Sequence, residues 1–129
     1  MFAFRMLIAN APIASRVDAE REAGGSAVVW AIIAMEFAFA AAGTPGFDDA
    51  HSAAPLWLAL CVAALAMAYV NERRRTVAWA LAALAAAVVM SAHAILSVLD
   101  GDAALIMVPV FLLAFAVQGL RGARALGQP

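Results

Sequence analysis

The sequence contains no lysine, a single cysteine and few charged residues of either sign. Its 129 residues carry eight basic and nine acidic side chains, for a net charge of -1 with histidine neutral. Only 13% of residues are charged and 67% are hydrophobic, with a mean hydropathy of +0.93. One cysteine excludes an internal disulfide and a cysteine-based zinc site. The lack of a basic excess argues against a nucleic-acid partner, and a soluble domain would be only about 45–50% apolar. The composition therefore predicts an integral membrane protein.

Four apolar stretches predict an all-α bundle of four transmembrane helices. They cover residues 26–43, 53–70, 76–99 and 103–120. Each has at least about 18 residues, enough at ~1.5 Å per residue to cross a hydrocarbon layer of ~30 Å. The short connections predict an up-down order in which consecutive helices are neighbours. Residues 1–25 are predicted as a cytoplasmic or interfacial segment, and residues 121–129 as a cytoplasmic tail.

The first 25 residues are too interrupted to form a span or a typical signal peptide. Ser15 and Asp18 have the spacing of a helix-capping motif, which predicts a short polar helix after Ser15. Gly24 and Gly25 are expected to end that helix before the first span begins.

The arginines predict the orientation of the chain. Arg73, Arg74 and Arg75 lie between spans two and three, and the others precede span one or follow span four. The remaining two connections contain only acidic charges. The positive-inside rule then predicts cytoplasmic N- and C-termini. Arg73–Arg75 are expected to set this topology and to contact anionic headgroups. The use of arginine alone, with abundant alanine, favours a bacterial inner membrane.

Alanines at every fourth position predict where the helices pack. Span one has Ala34, Ala38 and Ala42, and span three has a similar stripe at Ala78, Ala82 and Ala86. Small residues at this spacing let helix backbones approach closely in a membrane, and the same stripes could serve contacts with another subunit. Span four is bulkier and is expected to face lipid. Tryptophans near the span starts are expected to act as interfacial anchors.

Glu36 is the only charged residue of the first span. A carboxylate at that depth costs roughly 2.5–3.5 kcal/mol on insertion scales, which makes it a candidate for a functional site. The side chains three and four residues away on its helix are apolar, so a partner must come from another helix. Two interpretations remain open: a proton or cation site, or a protonated carboxyl that is hydrogen-bonded inside the bundle as a packing device.

His93 in span three is the second candidate. Its depth differs from that of Glu36 by only ~6 Å at 1.5 Å per residue, so the two side chains are expected to interact if spans one and three are adjacent. A satisfied core histidine is the main alternative. A copper site using Met90 is a weaker one, and we predict no metal and no cofactor.

The chain shows no enzyme motif. It lacks a glycine-rich phosphate loop, a nucleophile elbow and a zinc-protease helix signature, so we expect a protein that is not an enzyme.

The end of span four resembles that of a group of uncharacterised bacterial four-span membrane proteins. The residues that carry the resemblance are Phe115, Gln118, Gly119, Arg121 and Gly122, which match a Phe-x-x-Gln-Gly-x-Arg-Gly ending. The resemblance implies the four-span fold and supplies no activity. Length, span number and Glu36 are also similar to small multidrug resistance transporters, although span three here has no glycine between Thr76 and Leu99.

Two functions are compatible with these features. The first is a small accessory or oligomerising membrane subunit, present as a homo-oligomer or in a larger membrane complex. The alternative is a small proton-coupled transporter that uses Glu36.

Overall fold

The chain folds into a bundle of four long apolar helices preceded by one short polar helix. The computed structural model describes residues 15–43, 53–101 and 106–127. The helices are α1 (Arg16–Ala23), α2 (Gly25–Ala41), α3 (Ala54–Arg73), α4 (Val77–Leu99) and α5 (Met107–Ala125). Four candidate membrane spans follow from their length and apolar composition, with α1 and α2 counting together as one of 26 residues. The predicted all-α, four-span architecture is therefore confirmed, and the protein is a multi-pass membrane protein.

The N-terminal helix begins where the capping motif predicts. The Ser15 hydroxyl accepts a hydrogen bond from the backbone N–H of Asp18 at 3.2 Å. As predicted, this helix ends at the glycine pair: its last residue is Ala23, and Gly24 is its C-cap. Gly24 keeps a right-handed helical conformation and α2 starts at the next residue, so a break of one residue separates α1 from α2.

The fourth span also extends beyond its predicted limit. Helix α5 starts at Met107 and runs to Ala125, so the residues expected to open a free tail are helical. Gly122 and Ala123 in this extension are buried. They are buried because α1 packs along the same part of α5. The predicted connection 44–52 and the start of the predicted fourth span, 103–105, lie outside the described residues, as does the N-terminal segment 1–14.

Two of the three pairs of consecutive spans are neighbours, as the short connections predict, and one pair is not. Helix α3 packs mainly on α2, and α4 packs mainly on α5. Helices α3 and α4 are joined by only three residues, yet they make little contact with each other along their lengths. The common core lies where α2, α4 and α5 meet, around Val29, Ile33, Ala87, Leu112 and Ala116.

The alanine stripe of the third span is displaced from its predicted position. Helix α4 buries Ala80, Ala83, Ala87 and Ala94, whereas Ala78 is exposed and Ala82 and Ala86 are only half-buried. The small-residue character of the face is as predicted, but the face itself is rotated. Two tryptophans also differ from interfacial anchors: the Trp57 ring stacks on Phe37 with centroids 5.8 Å apart, and Trp30 lines a groove.

Candidate functional sites

The arginines that the structure describes gather at one end of the bundle, which we call the arginine end. It is formed by α1, the start of α2, the ends of α3 and α5, and the residues that follow α3. The ion pairs between Arg75 and Glu72 and between Arg121 and Glu22 lie here. The Gln118–Gly122 segment, singled out in the sequence for its resemblance, belongs to this end.

Glycines allow α5 to cross α1 and α2 at very short range. A Cβ added to Gly122 would lie 2.6 Å from the carbonyl oxygen of Ala19, and one added to Gly119 would lie 2.6 Å from the backbone nitrogen of Ser26. From the opposite side, a Cβ on Gly25 would lie 2.5 Å from the carbonyl oxygen of Phe115. No side chain fits at these points. The Gln-Gly-x-Arg-Gly segment is thus a helix-crossing motif. Small residues commonly allow such close approach between helices in membranes.

Arg121 is held by a carboxylate from α1. Its Nε lies 3.3 Å from Oε2 of Glu22, whose side chain is only 7% exposed. A carboxylate buried to this degree needs a cationic partner, because its desolvation is otherwise uncompensated. The sequence named Arg121 but missed Glu22. Glu22 lies three residues after Ala19, so both side chains are on the face of α1 that meets α5. This spacing could have identified Glu22 from the sequence.

Three more polar side chains are buried at this end. Gln118, Ser26 and Asn71 are each at most 2% exposed. The Asn71 amide nitrogen donates to the carbonyl oxygen of Met67 at 2.9 Å. Among the described residues, however, Oδ1 of Asn71, Oε1 of Gln118 and Oγ of Ser26 have no hydrogen-bond partner. Gln118 therefore lies inside the helix crossing.

The three arginines between α3 and α4 have different environments. Arg75 donates from Nη1 to the carbonyl oxygen of Glu20 at 3.0 Å and from Nη2 to the Glu72 carboxylate. It therefore ties the end of α3 to α1. Arg73 lies over the Tyr69 ring, 5.4 Å from its centroid, and Arg74 is exposed. Only Arg73 and Arg74 have the freedom expected of residues that contact headgroups.

Glu36 is half-buried in the middle of α2. Its Oε1 is buried and has no hydrogen-bond partner among the described residues. The same helix face carries the buried Ile33 and Ala40, so the carboxyl is directed along the side of the bundle rather than fully into lipid. Helices α2 and α5 run antiparallel and are in contact at Ser26 and Gly119. Ten residues after Ser26 and ten residues before Gly119, Glu36 and Pro109 lie at the same level.

The expected contact between Glu36 and His93 is not formed. Among the described residues, no hydrogen bond or ion pair joins them, and His93 is exposed on the surface of α4. The buried face of α4 runs through Ser91 and Ala94. His93 is two residues from Ser91, about 200° around the helix at 3.6 residues per turn, so it points away from that face. The expectation rested on depth along the membrane normal, and depth alone does not fix the face of a helix.

An apolar groove of about 420 Å³ separates α3 from α4. Its floor is α2, with Trp30, Ile33 and Phe37, and its walls include Ala63 of α3 and Ala86 of α4. The groove exists because α3 packs mainly against α2 and α4 mainly against α5, and the two helices make little contact with each other. Within the described parts of the chain, no three His, Cys, Asp or Glu side chains come close enough together to hold a metal ion.

Comparison with known proteins gives no match: no family model, no curated protein and no solved structure is detectably similar to this chain.

Proposed function

We propose that this membrane protein acts by association in the bilayer, as a small subunit that pairs with a second copy of itself through α3. The carrying observation is the surface of α3. Only Ala64 and Asn71 of its 20 residues are buried. The span packs on the bundle along one side, mainly against α2, and its other side is exposed.

The outward face of α3 has the pattern of a helix-pairing seam. Leu58, Val62, Leu65 and Tyr69 are exposed by 55%, 65%, 53% and 62%. They are spaced by four, three and four residues, which is the spacing of knobs that pack into the holes of a facing helix. Exposed Ala59, Ala63 and Ala66 lie beside them and keep the surface shallow enough for close approach.

A second copy is the partner that this seam fits most directly. Copies inserted in the same orientation have parallel α3 helices, so a twofold axis along the membrane normal brings each residue of the seam opposite itself. A seam with a spacing of four, three and four is self-complementary under that symmetry. An accessory role in a larger complex would use the same face with a different helix.

Cysteine cross-linking tests the pairing. In a Cys61→Ser background, Val62→Cys should form a disulfide-linked dimer in native membranes under mild oxidation. Leu96→Cys is the matched control, because Leu96 is exposed by 61% on α4 and Val62 by 65% on α3. A seam at α3 predicts efficient cross-linking of Val62→Cys alone. Equal cross-linking of both variants, or of neither, would contradict it.

The orientation in the membrane is part of this proposal. We infer that the arginine end faces the cytoplasm of a bacterial cell, because arginines concentrate there and acidic residues occupy the other connections. Reporter fusions after Gly46 and after Gly101 should read external, and one at the C-terminus internal. An external C-terminus would reverse the assignment.

A second candidate function is favoured by one observation, the unpartnered carboxyl oxygen of Glu36. A proton-coupled transporter needs an ionisable group at membrane depth that is not neutralised by a fixed partner. Substrate-driven proton release in proteoliposomes should then be lost in Glu36→Gln and partly kept in Glu36→Asp, which retains an acid. If transport is absent in the unsubstituted protein and Glu36→Gln changes only dimer stability, the carboxyl serves packing.

A further inference from the structure

A cavity of about 500 Å³ lies at the arginine end, beside the junction of α1 and α2. Its polar lining consists of Glu20, Arg21, Glu72 and Arg75, and its apolar lining includes Val28 and Phe115. It is separate from the α3 seam and from Glu36. Its volume falls within the range of about 300–1,000 Å³ that is usual for small-molecule sites.

The lining offers both signs of charge in equal number. No hydrogen bond or ion pair joins the Arg21 side chain to a described residue. Arg75 is 30% exposed and uses one N–H of each of its two Nη groups, so the second N–H of each remains. Each carboxylate uses one oxygen within the protein: Oε1 of Glu20 binds Arg16, and Oε1 of Glu72 binds Arg75. Free donors and free acceptors thus remain in the same cavity.

Glycine keeps the cavity open. A Cβ added to Gly24 would lie 3.8 Å from Oε2 of Glu72 and 3.2 Å from the carbonyl oxygen of Arg21. The missing side chain would therefore point toward the charged lining. The free oxygen of Glu72 faces this space from the opposite wall.

The cavity is amphipathic along its length. Val28 and Phe115 belong to apolar spans, whereas Glu20 and Arg21 belong to the polar helix α1. An occupant must accordingly have an apolar part directed toward the bilayer and a charged part directed toward α1. This is the geometry of a molecule at the membrane–water interface.

We propose that this cavity binds a phosphoethanolamine group. The phosphate accepts hydrogen bonds from Arg21 and from the remaining N–H groups on Nη1 and Nη2 of Arg75, and the primary ammonium donates to the free oxygens of Glu20 and Glu72. Carbon chains attached to the phosphate lie against Val28 and Phe115. Both charges of the ligand are then matched by charge-assisted hydrogen bonds, which are the stronger class.

Other headgroups fit the lining less well. A purely anionic phosphate ester brings no cation to the free oxygens of Glu20 and Glu72 and places a negative charge beside these carboxylates. A choline headgroup carries a cation with no N–H to donate. The site should therefore discriminate in favour of the primary amine.

Binding is measured on the full-length protein in mild detergent by native mass spectrometry and thermal shift. The probes are dihexanoyl phosphatidylethanolamine, phosphatidylglycerol and phosphatidylcholine, together with free phosphoethanolamine. We expect the ethanolamine lipid to bind about tenfold more tightly than the other two lipids, as loss of one charge-assisted contact implies. Equal affinity for all three headgroups would overturn the proposal. Tight binding of free phosphoethanolamine would identify a soluble ligand, and binding only of the lipid would identify a membrane source.

Variants assign the contacts. Arg21→Gln should weaken binding of all three lipids, and Glu72→Gln should remove the preference for ethanolamine over choline. Arg124→Gln is the control, since Arg124 is an exposed arginine near the same end that does not line the cavity. Because Glu72 also holds Arg75, Val28→Trp provides a second variant that narrows the cavity without changing a charge, and it too should lose binding. Unchanged affinity in both Arg21→Gln and Val28→Trp would rule the site out.

Discussion

Of the second and fourth spans, α3 and α5, the more apolar helix is the less buried one. The mean hydropathy of the best 18-residue window is 1.8 in α3 and 1.2 in α5. Yet α3 buries two of its 20 residues, whereas α5 buries seven of 19. The less apolar helix is the one enclosed by protein. The prediction that span four faces lipid is therefore wrong.

The reason is that lipid is as apolar as the helix surface. Burying leucine against another helix instead of an acyl chain gains little, so close packing and polar contacts decide which helices associate. Helix α5 carries Gly119, Gly122, Gln118 and Arg121, which make such packing possible. Helix α3 has no glycine, several of its alanines are exposed, and it remains at the periphery.

The largest expected contrast between the two helices comes from truncating a leucine in each. Leu112 of α5 is completely buried, and Leu65 of α3 is 53% exposed. Leu112→Ala should lower the free energy of unfolding by about 2–5 kcal/mol, because it leaves a cavity in the core. Leu65→Ala should change it by about 0.5 kcal/mol or less. Denaturant titration in dilute micelles, where subunits are monomeric, measures both, and equal losses would erase the distinction between the spans.

A second contrast concerns close backbone approach. Gly119→Val should cost about 1–3 kcal/mol or more through overpacking, because even a Cβ at Gly119 would collide with Ser26. Ala66→Val on the exposed surface of α3 adds the same kind of volume with room to spare. Thermal unfolding by circular dichroism compares the two. If Gly119→Val is tolerated as well as Ala66→Val, the helix crossing is looser than its geometry indicates.

The ion pair that joins α1 to α5 gives a third test. Glu22→Gln should destabilise the protein by about 1–3 kcal/mol, because Arg121 loses its buried carboxylate partner. Glu20→Gln is the control. The Glu20 and Arg16 side chains are 44% and 79% exposed, so their ion pair stabilises the protein by about 1 kcal/mol or less. The same denaturant titration in micelles reads out both. A larger loss for Glu20→Gln would show that the exposed network matters more than the buried pair.

The smallest expected effect is at the start of α1. Ser15→Ala removes the N-cap hydrogen bond and should cost about 1 kcal/mol. Thr76, at the same position before α4, makes no side-chain cap bond, so Thr76→Ala should be close to neutral. Hydrogen exchange of the α1 amides localises the change. Unaltered exchange in Ser15→Ala would mean that packing on α5 alone fixes α1.

Much of the architecture could be predicted from the sequence because it depends on local properties. Run length and hydropathy predict the four spans, and the Ser15–Asp18 spacing predicts the start of α1. The glycines at 24 and 25 predict the end of α1. The sequence does not show that Gly25 also allows a close contact with α5, which lies far away along the chain.

The candidate sites divide in the same way. The sequence by itself determined that Glu36 lies near the middle of an apolar span, and it predicted one end for the arginines, which those in the described residues share. It also singled out the segment Gln118–Gly122. Only the tertiary structure decided that Glu36 and His93 do not meet, that Glu22 is the carboxylate paired with Arg121, and that a charged cavity opens beside Gly24. Depth and composition follow from position along the chain. Partners depend on which face each helix turns inward, and between apolar helices in lipid that choice rests on close packing that hydrophobic periodicity does not encode.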